Sequence, residues 1–91
     1  MVENRVYVQV ANCLLEEIDN EILLYNPDTE TTSYLNTTAM LVWRMCNGEN
    51  TVADIIGILV GQYPDSEKQI NQDVIEILKD MLDQGVIKIS Q

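Results

Sequence analysis

The side chains of this chain that could do chemistry are two cysteines and fifteen carboxylates, because none of its 91 residues is histidine. The lack of histidine excludes imidazole general bases, Ser-His-Asp and Cys-His nucleophiles, and histidine metal ligands. Cys13 and Cys46 have no third cysteine to complete a zinc or iron–sulfur ligand set, and the four glycines match no phosphate-binding loop. We therefore expect no catalytic residue, no metal site and no cofactor.

The carboxylates remain candidates for acid–base chemistry wherever two of them meet. Two groups stand out in the sequence: Glu16 with Glu17, and the set Asp73, Glu76, Asp80 and Asp83. The second group lies mostly opposite or beside an apolar helical stripe, which is typical of a solvated helix face. We interpret both groups as surface acids rather than as catalytic pairs.

The charge balance is strongly acidic, since fifteen Asp and Glu stand against five Lys and Arg, a formal net charge of −10. Nucleic-acid binding normally requires a Lys/Arg patch that displaces counterions from phosphates, and an anionic membrane surface would also be repelled. No signal peptide or long apolar span is visible, and the cysteines suit small buried thiols in a reducing compartment. The sequence thus predicts a cytoplasmic protein that has neither nucleic acid nor membrane as a partner.

The composition of the first part of the chain is typical of β-strands, because short apolar runs with Thr and Tyr lie between closely spaced turns. Residues 13–18 and Glu21–Asn26 flank Asp19-Asn20, a pair that tolerates positive φ and predicts a tight hairpin. A second turn at Pro27-Asp28 leads into Thr31–Leu35, which favours extended structure. These runs predict a three-stranded antiparallel meander.

Beyond Asn36 the apolar period becomes helical. Stop and start signals delimit three helices: one over 37–46 after the N-cap Asn36, one from Thr51 to about Tyr63, and one from Ser66 to Gly85. Thr51 with Asp54, and Ser66 with Gln69, both have the spacing of a capping box. The predicted fold class is α+β, a three-stranded antiparallel β-meander followed by three α-helices.

The two ends of the chain carry β-prone residues whose pairing is not set by local signals. Residues 86–90 are short and β-branched, and they predict a terminal strand that pairs with residues 6–10. The N-terminal run is equally compatible with exchange between chains or with a mobile arm.

A spaced pattern in the middle of the chain is more specific than any of its parts. It consists of Tyr34-Leu35-Asn36, Ala39, Trp43, Asn47-Gly48 and Thr51-Val52. The run 34–56 resembles the signature of PqqD-like proteins, in which Leu-Asn precedes a small residue, a Trp, a polar-Gly turn and a Thr-Val helix start. Residues 21–29 and the third helix are also similar, so the resemblance covers about residues 12–88. It implies a PqqD-like peptide-recognition domain over 12–91, and it leaves 1–11 as an unassigned N-terminal arm or strand.

The signature residues are expected to serve the fold itself. We predict core positions for Leu35, Ala39 and Trp43, N-caps at Asn36 and Thr51, and a left-handed C-cap at Gly48. The pattern therefore identifies a fold, and the binding site needs a separate argument.

The resemblance implies a winged helix-turn-helix-like domain that recognises peptides. Members of the family are known to bind the leader segment of a ribosomally made precursor as an added strand on the third strand, in a groove walled by the third helix. Here that strand is Thr31–Leu35, an edge strand if the sheet follows the meander. The implied peptide-binding residues on it are Thr31, Thr32, Ser33, Tyr34 and Leu35.

Helical angle adds a hypothesis about the other wall of that groove. One margin of the third helix carries Lys68, Ile75, Lys79 and Leu82, where a lysine could pair with an acidic leader residue. The alternative is that these are core-edge residues and ordinary solubilising lysines. If they do not bind, the opposite margin, with Ile70, Asp73 and Ile77, is the next candidate.

The expected partners are the precursor leader peptide and a peptide-modifying enzyme such as a radical S-adenosylmethionine enzyme, a leader peptidase or a cyclase. One alternative is a structural or regulatory subunit of such an enzyme that never touches the precursor. A winged-helix DNA binder is the other, and the five acids against two lysines in the third helix argue against it.

Overall fold

The computed structural model describes residues 4–90, which contain six strands, three α-helices and one short 3₁₀ turn. The elements in chain order are β1 (Val6–Gln9), β2 (Leu14–Ile18), β3 (Glu21–Asn26), β4 (Thr31–Leu35), α1 (Thr37–Met45), β5 (Asn47–Thr51), α2 (Val52–Gln62), α3 (Glu67–Gln84) and β6 (Ile87–Ile89). The predicted α+β class and its three helices are confirmed.

The predicted meander is present as a sheet in the order β2-β3-β4. Asp19 and Asn20 adopt φ of 50° and 69° in the tight turn between β2 and β3, which confirms the predicted hairpin. Leu24 of β3 lies opposite Ser33 of β4 in an antiparallel register. Within residues 4–90 no strand pairs with the other side of β4, so β4 is an edge strand of this sheet.

A second sheet, in the order β5-β1-β6, corrects the expectation of a single meander followed by helices. Tyr7 lies opposite Ile89, which confirms that the terminal strand pairs with the N-terminal run. The polar segment Asn47–Thr51 was not predicted as a strand, because it has no apolar alternation and is extended only through its pairing with β1. Strand β6 begins soon after α3 ends, so the pairing of β6 with β1 positions the C-terminal end of α3.

Side-chain caps explain where α1 and α2 begin. Asn36 Oδ1 accepts a hydrogen bond from the Ala39 N–H at 2.8 Å. Thr51 and Asp54 form the predicted capping box, with bonds of 2.9 and 3.0 Å. Both predicted N-caps are thus confirmed.

Two predicted helix ends differ from the structure. Ser66 makes no side-chain cap, because residues Pro64–Ser66 form a 3₁₀ turn that leads straight into α3. Gly48 has the expected positive φ of 84°, but it lies in β5, and α1 already ends at Cys46. The C-cap of α3 at Gly85, with φ of 74°, is as predicted.

The core lies between the two sheets and the three helices. Its buried residues include Leu24, Val42, Trp43, Ile55, Leu59, Val74, Leu78 and Met81. Trp43 Nε1 donates a hydrogen bond to the Val86 carbonyl at 3.2 Å, so the indole is satisfied inside the core. Ala39 is also buried and Leu35 packs against the cluster, which confirms the predicted core role of the signature residues.

Candidate functional site

A groove of about 190 Å³ lies between the C-terminal end of β4 and the C-terminal half of α3. The wall on the side of β4 and the start of α1 consists of Tyr34, Leu35, Asn36 and Ala39. The α3 wall consists of Ile77, Asp80, Met81 and Gln84. The end of an edge strand therefore borders a hollow that is lined by both apolar and polar residues.

Two hydrogen bonds fix the distance between the meander and α3. Ser33 is 6% exposed, and its hydroxyl donates to Gln84 Oε1 at 2.6 Å. Asn26 is 2% exposed, and its amide donates to the Gly85 carbonyl at 2.9 Å. Both walls of the groove are therefore part of one packed unit, which favours a groove that exists before any ligand arrives.

The side chains of β4 alternate between the two faces of the sheet, as pleating requires. Ser33 is buried and Leu35 is half-buried, whereas Thr32 and Tyr34 are exposed. Tyr34 is 73% exposed and stands at the mouth of the groove. The backbone of β4 can thus be approached from its open side without displacing a core residue.

A second cavity of about 220 Å³ lies further along the same margin of α3, toward its N-terminus. Leu59 and Tyr63 of the α2 end line one side, and Gln69, Ile70 and Asp73 line the α3 side. The Gln69 amide donates to Asp73 Oδ1 at 2.8 Å, which orients that carboxylate. The two hollows together follow one side of the long helix.

The margin of α3 that borders these hollows is not the one on which the sequence hypothesis placed the site. Lys68 and Lys79 are exposed and Ile75 and Leu82 are half-buried, and none of the four lines either hollow. At 3.6 residues per turn they project from the other side of the buried stripe. A role for these four residues in binding a peptide stays a prediction.

The opposite margin of α3, which the sequence offered as the alternative, lines the two hollows with all three residues proposed for it. Ile70 and Asp73 line the second cavity, and Ile77 lines the groove. Asp80, Met81 and Gln84 were not singled out as site residues. Their spacing from Ile77 at i+3, i+4 and i+7 places them on one helix face, but nothing local shows that this face meets β4.

The cysteines do not add reactive chemistry to the site. Cys46 is buried, and this burial raises the pKa of its thiol to about 12. Burial, and secondly the charge of Asp28, raise the pKa of the Cys13 thiol. Both thiols are therefore protonated near neutral pH, which is typical of structural cysteines.

A metal centre and a membrane-spanning helix are two other features that would bear on function. No group of three or more Cys, Asp or Glu side chains in residues 4–90 is arranged to hold a metal ion. No helix in those residues has the length and apolar character needed to cross a membrane.

Comparison with known proteins gives one match. The family model described as "Coenzyme PQQ synthesis protein D (PqqD)" matches residues 21–87, which is well over half of the chain. No curated protein and no solved structure shows significant similarity to this chain. The matched span contains both walls of the groove, from β3 to the end of α3.

Proposed function

The chain belongs to the PqqD family, and on that premise we propose that it binds the leader segment of a ribosomally synthesised peptide precursor. In this proposal residues 12–91 form a winged helix-turn-helix-like recognition domain that presents the leader to a peptide-modifying enzyme and does no chemistry itself. The observation that carries the proposal is the open edge of β4, a strand whose last two residues line the groove.

Capture would proceed by strand addition. In an antiparallel sheet every second residue of an edge strand points both its N–H and its C=O outward, where a foreign backbone can pair with them. The edge offered here is Thr31, Thr32, Ser33, Tyr34 and Leu35. Each new backbone hydrogen bond contributes about 0.5–1.5 kcal/mol net, whatever the side chains of the ligand. Pairing of this kind supports affinity, and selectivity must come from the groove.

Side chains of the added strand that point toward α3 would enter the groove. Leu35, Ala39 and Ile77 offer an apolar floor, and Asp80 and Gln84 offer polar groups at the rim. The lining of the groove is mixed, so a bound side chain can meet both apolar and polar groups. The hydrogen bond between Ser33 and Gln84 would hold that site open and lower the ordering cost of binding.

The proposed setting is the cytoplasm, which the two free cysteines support because thiols stay reduced there. The proposed enzyme partner is a radical S-adenosylmethionine enzyme, a leader peptidase or a cyclase. Separate calorimetric titrations with leader and with enzyme distinguish a docking domain from a purely regulatory subunit, because only a docking domain binds the leader alone.

Hydrogen exchange of the backbone amides tests the strand-addition proposal directly. The probes are synthetic leader segments of precursor peptides, chosen from short reading frames found by sequencing the neighbourhood of this chain's gene. We expect a bound leader to protect alternate amides of β4, namely those that β3 does not already bind. The other edge strand of the same sheet, β2, is the internal control and should keep its exchange rates. Leader binding without any new protection in β4 would contradict strand addition.

A further inference from the structure

We propose that the leader segment taken by this groove carries a lysine or arginine, an apolar residue two positions further along, and a second basic residue two positions after that. In an extended strand these three side chains point to the same side, toward α3. This inference rests on the proposed function and specifies the chemistry of its ligand. The lysines on the other margin of α3 suggested an acidic ligand residue, and the inference replaces it with a basic one. The evidence comes from the charges that line the two hollows.

The groove favours a cation at its α3 wall. Among the described residues that line it, Asp80 is the one acidic side chain, and none is basic. A carboxylate attracts a Lys or Arg head group directly. An acidic ligand residue would meet only repulsion from Asp80 here.

The second cavity repeats the same combination. Asp73 lies on its α3 side and Tyr63, which is 54% exposed, lies on the other. The described residues that line it also include no base. One Asp73 oxygen accepts the Gln69 amide at 2.8 Å, so the carboxylate is held in a fixed orientation. The recurrence of an aspartate without a basic neighbour in the lining of both hollows argues for a repeated ligand feature.

The distance between the two acids sets the spacing of the two bases. Asp73 and Asp80 are two turns apart on α3, a separation of roughly 10 Å at 1.5 Å per residue. An extended chain covers about 3.3 Å per residue and its side chains alternate between two faces, so four residues, about 13 Å, place two bases on the side of α3 with one residue of the same side between them. The flexible side chains of Lys and Arg can cover the remaining difference. The groove lining includes Ile77, Met81 and Ala39, which suit an apolar side chain between the two bases.

The charge of the whole chain acts in the same direction. A formal net charge of −10 attracts cationic segments over several ångströms and repels acidic ones. It does not distinguish one basic peptide from another. The local pairs at Asp80 and Asp73 are therefore what a test must isolate.

Selection from a phage-displayed library of random peptides provides that test. The wild-type chain, the variant Asp80→Lys and the control Asp83→Lys are each immobilised and panned. Asp83 is exposed on the same helix and does not line either hollow, so its variant carries the same change in net charge. We expect the wild type and the control to enrich Lys or Arg two positions from an apolar residue. The Asp80→Lys variant should lose that preference and enrich Asp or Glu at the same place.

One selected peptide is then titrated against the Asp80→Asn and Asp83→Asn variants. We expect the affinity to fall about two- to fivefold for Asp80→Asn, the range of a partly exposed ion pair, and to stay unchanged for Asp83→Asn. Two outcomes would overturn this inference and leave the proposed function standing. In the first, the selected peptides protect β4 amides but show no preference for basic residues. In the second, both lysine variants select peptides with the same preference. Selected peptides that protect no β4 amide would overturn both.

Discussion

The substitution Asn26→Ala should destabilise the fold more than any other change of a single polar side chain outside the core. Asn26 is 2% exposed at the end of β3. Its amide donates to the Gly85 carbonyl at 2.9 Å, and its Oδ1 accepts the Asp28 N–H at 3.0 Å. One side chain thus orders the turn before β4 and also ties the meander to the end of α3.

The expected magnitude follows from the bonds that are lost. Two hydrogen bonds contribute about 1 kcal/mol each, and the Gly85 carbonyl is left only partly hydrated, so we expect a loss of about 2–3 kcal/mol. A domain of this size has a total stability of about 5–15 kcal/mol. With an m-value near 1 kcal/mol per molar urea, the midpoint of unfolding should fall by roughly 2 M.

Urea unfolding followed by circular dichroism measures this shift, and Asn71→Ala is the matched control. Asn71 also donates its amide to a backbone carbonyl, that of Glu67 at 2.9 Å, but this bond is exposed and lies within α3. Alanine is the better helix former there, so we expect a change within about 0.5 kcal/mol. Equal midpoints for the two variants would refute the assigned role of Asn26.

Three further predictions concern a glycine pair, a thiol and the two margins of α3. Gly85→Ala should lower the free energy of unfolding by about 1 kcal/mol, because the φ of Gly85 is +74°. Gly57→Ala has open space around the new methyl group and should stabilise α2 by about 0.5–1 kcal/mol in the same urea assay. Cys46, with its pKa raised to about 12, should resist iodoacetamide at pH 8 in the native state and react only after unfolding; mass spectrometry that finds it alkylated in the folded chain would contradict its burial. Ile77→Ala should weaken leader binding about fivefold in calorimetry. Unchanged affinity for both Ile75→Ala and Lys79→Ala would exclude the opposite margin, and a loss for either of them with none for Ile77→Ala would restore it.

Local sequence signals were sufficient for most of the elements. The Asp19-Asn20 turn, the Asn36 cap and the Thr51–Asp54 capping box depend on atoms within four residues of one another, so their residue types predict their geometry. The apolar spacing of α3 likewise predicts its buried stripe. The Ser66 cap failed because Pro64 begins a 3₁₀ turn that supplies an alternative start for the helix.

The second sheet, and the margin of α3 that borders the two hollows, were decided only by tertiary contacts. Strand β5 is polar and is extended because β1 and β6 complete a sheet with it, a pairing between distant parts of the chain that no local pattern encodes. The helical period shows that α3 has two polar margins but does not show which of them lies beside β4. That choice depends on contacts across the fold, including Ser33 with Gln84 and Asn26 with Gly85, which join residues more than fifty positions apart. The sequence alone therefore determined the family and most of the elements, while packing between distant segments decided which margin of α3 lines the groove.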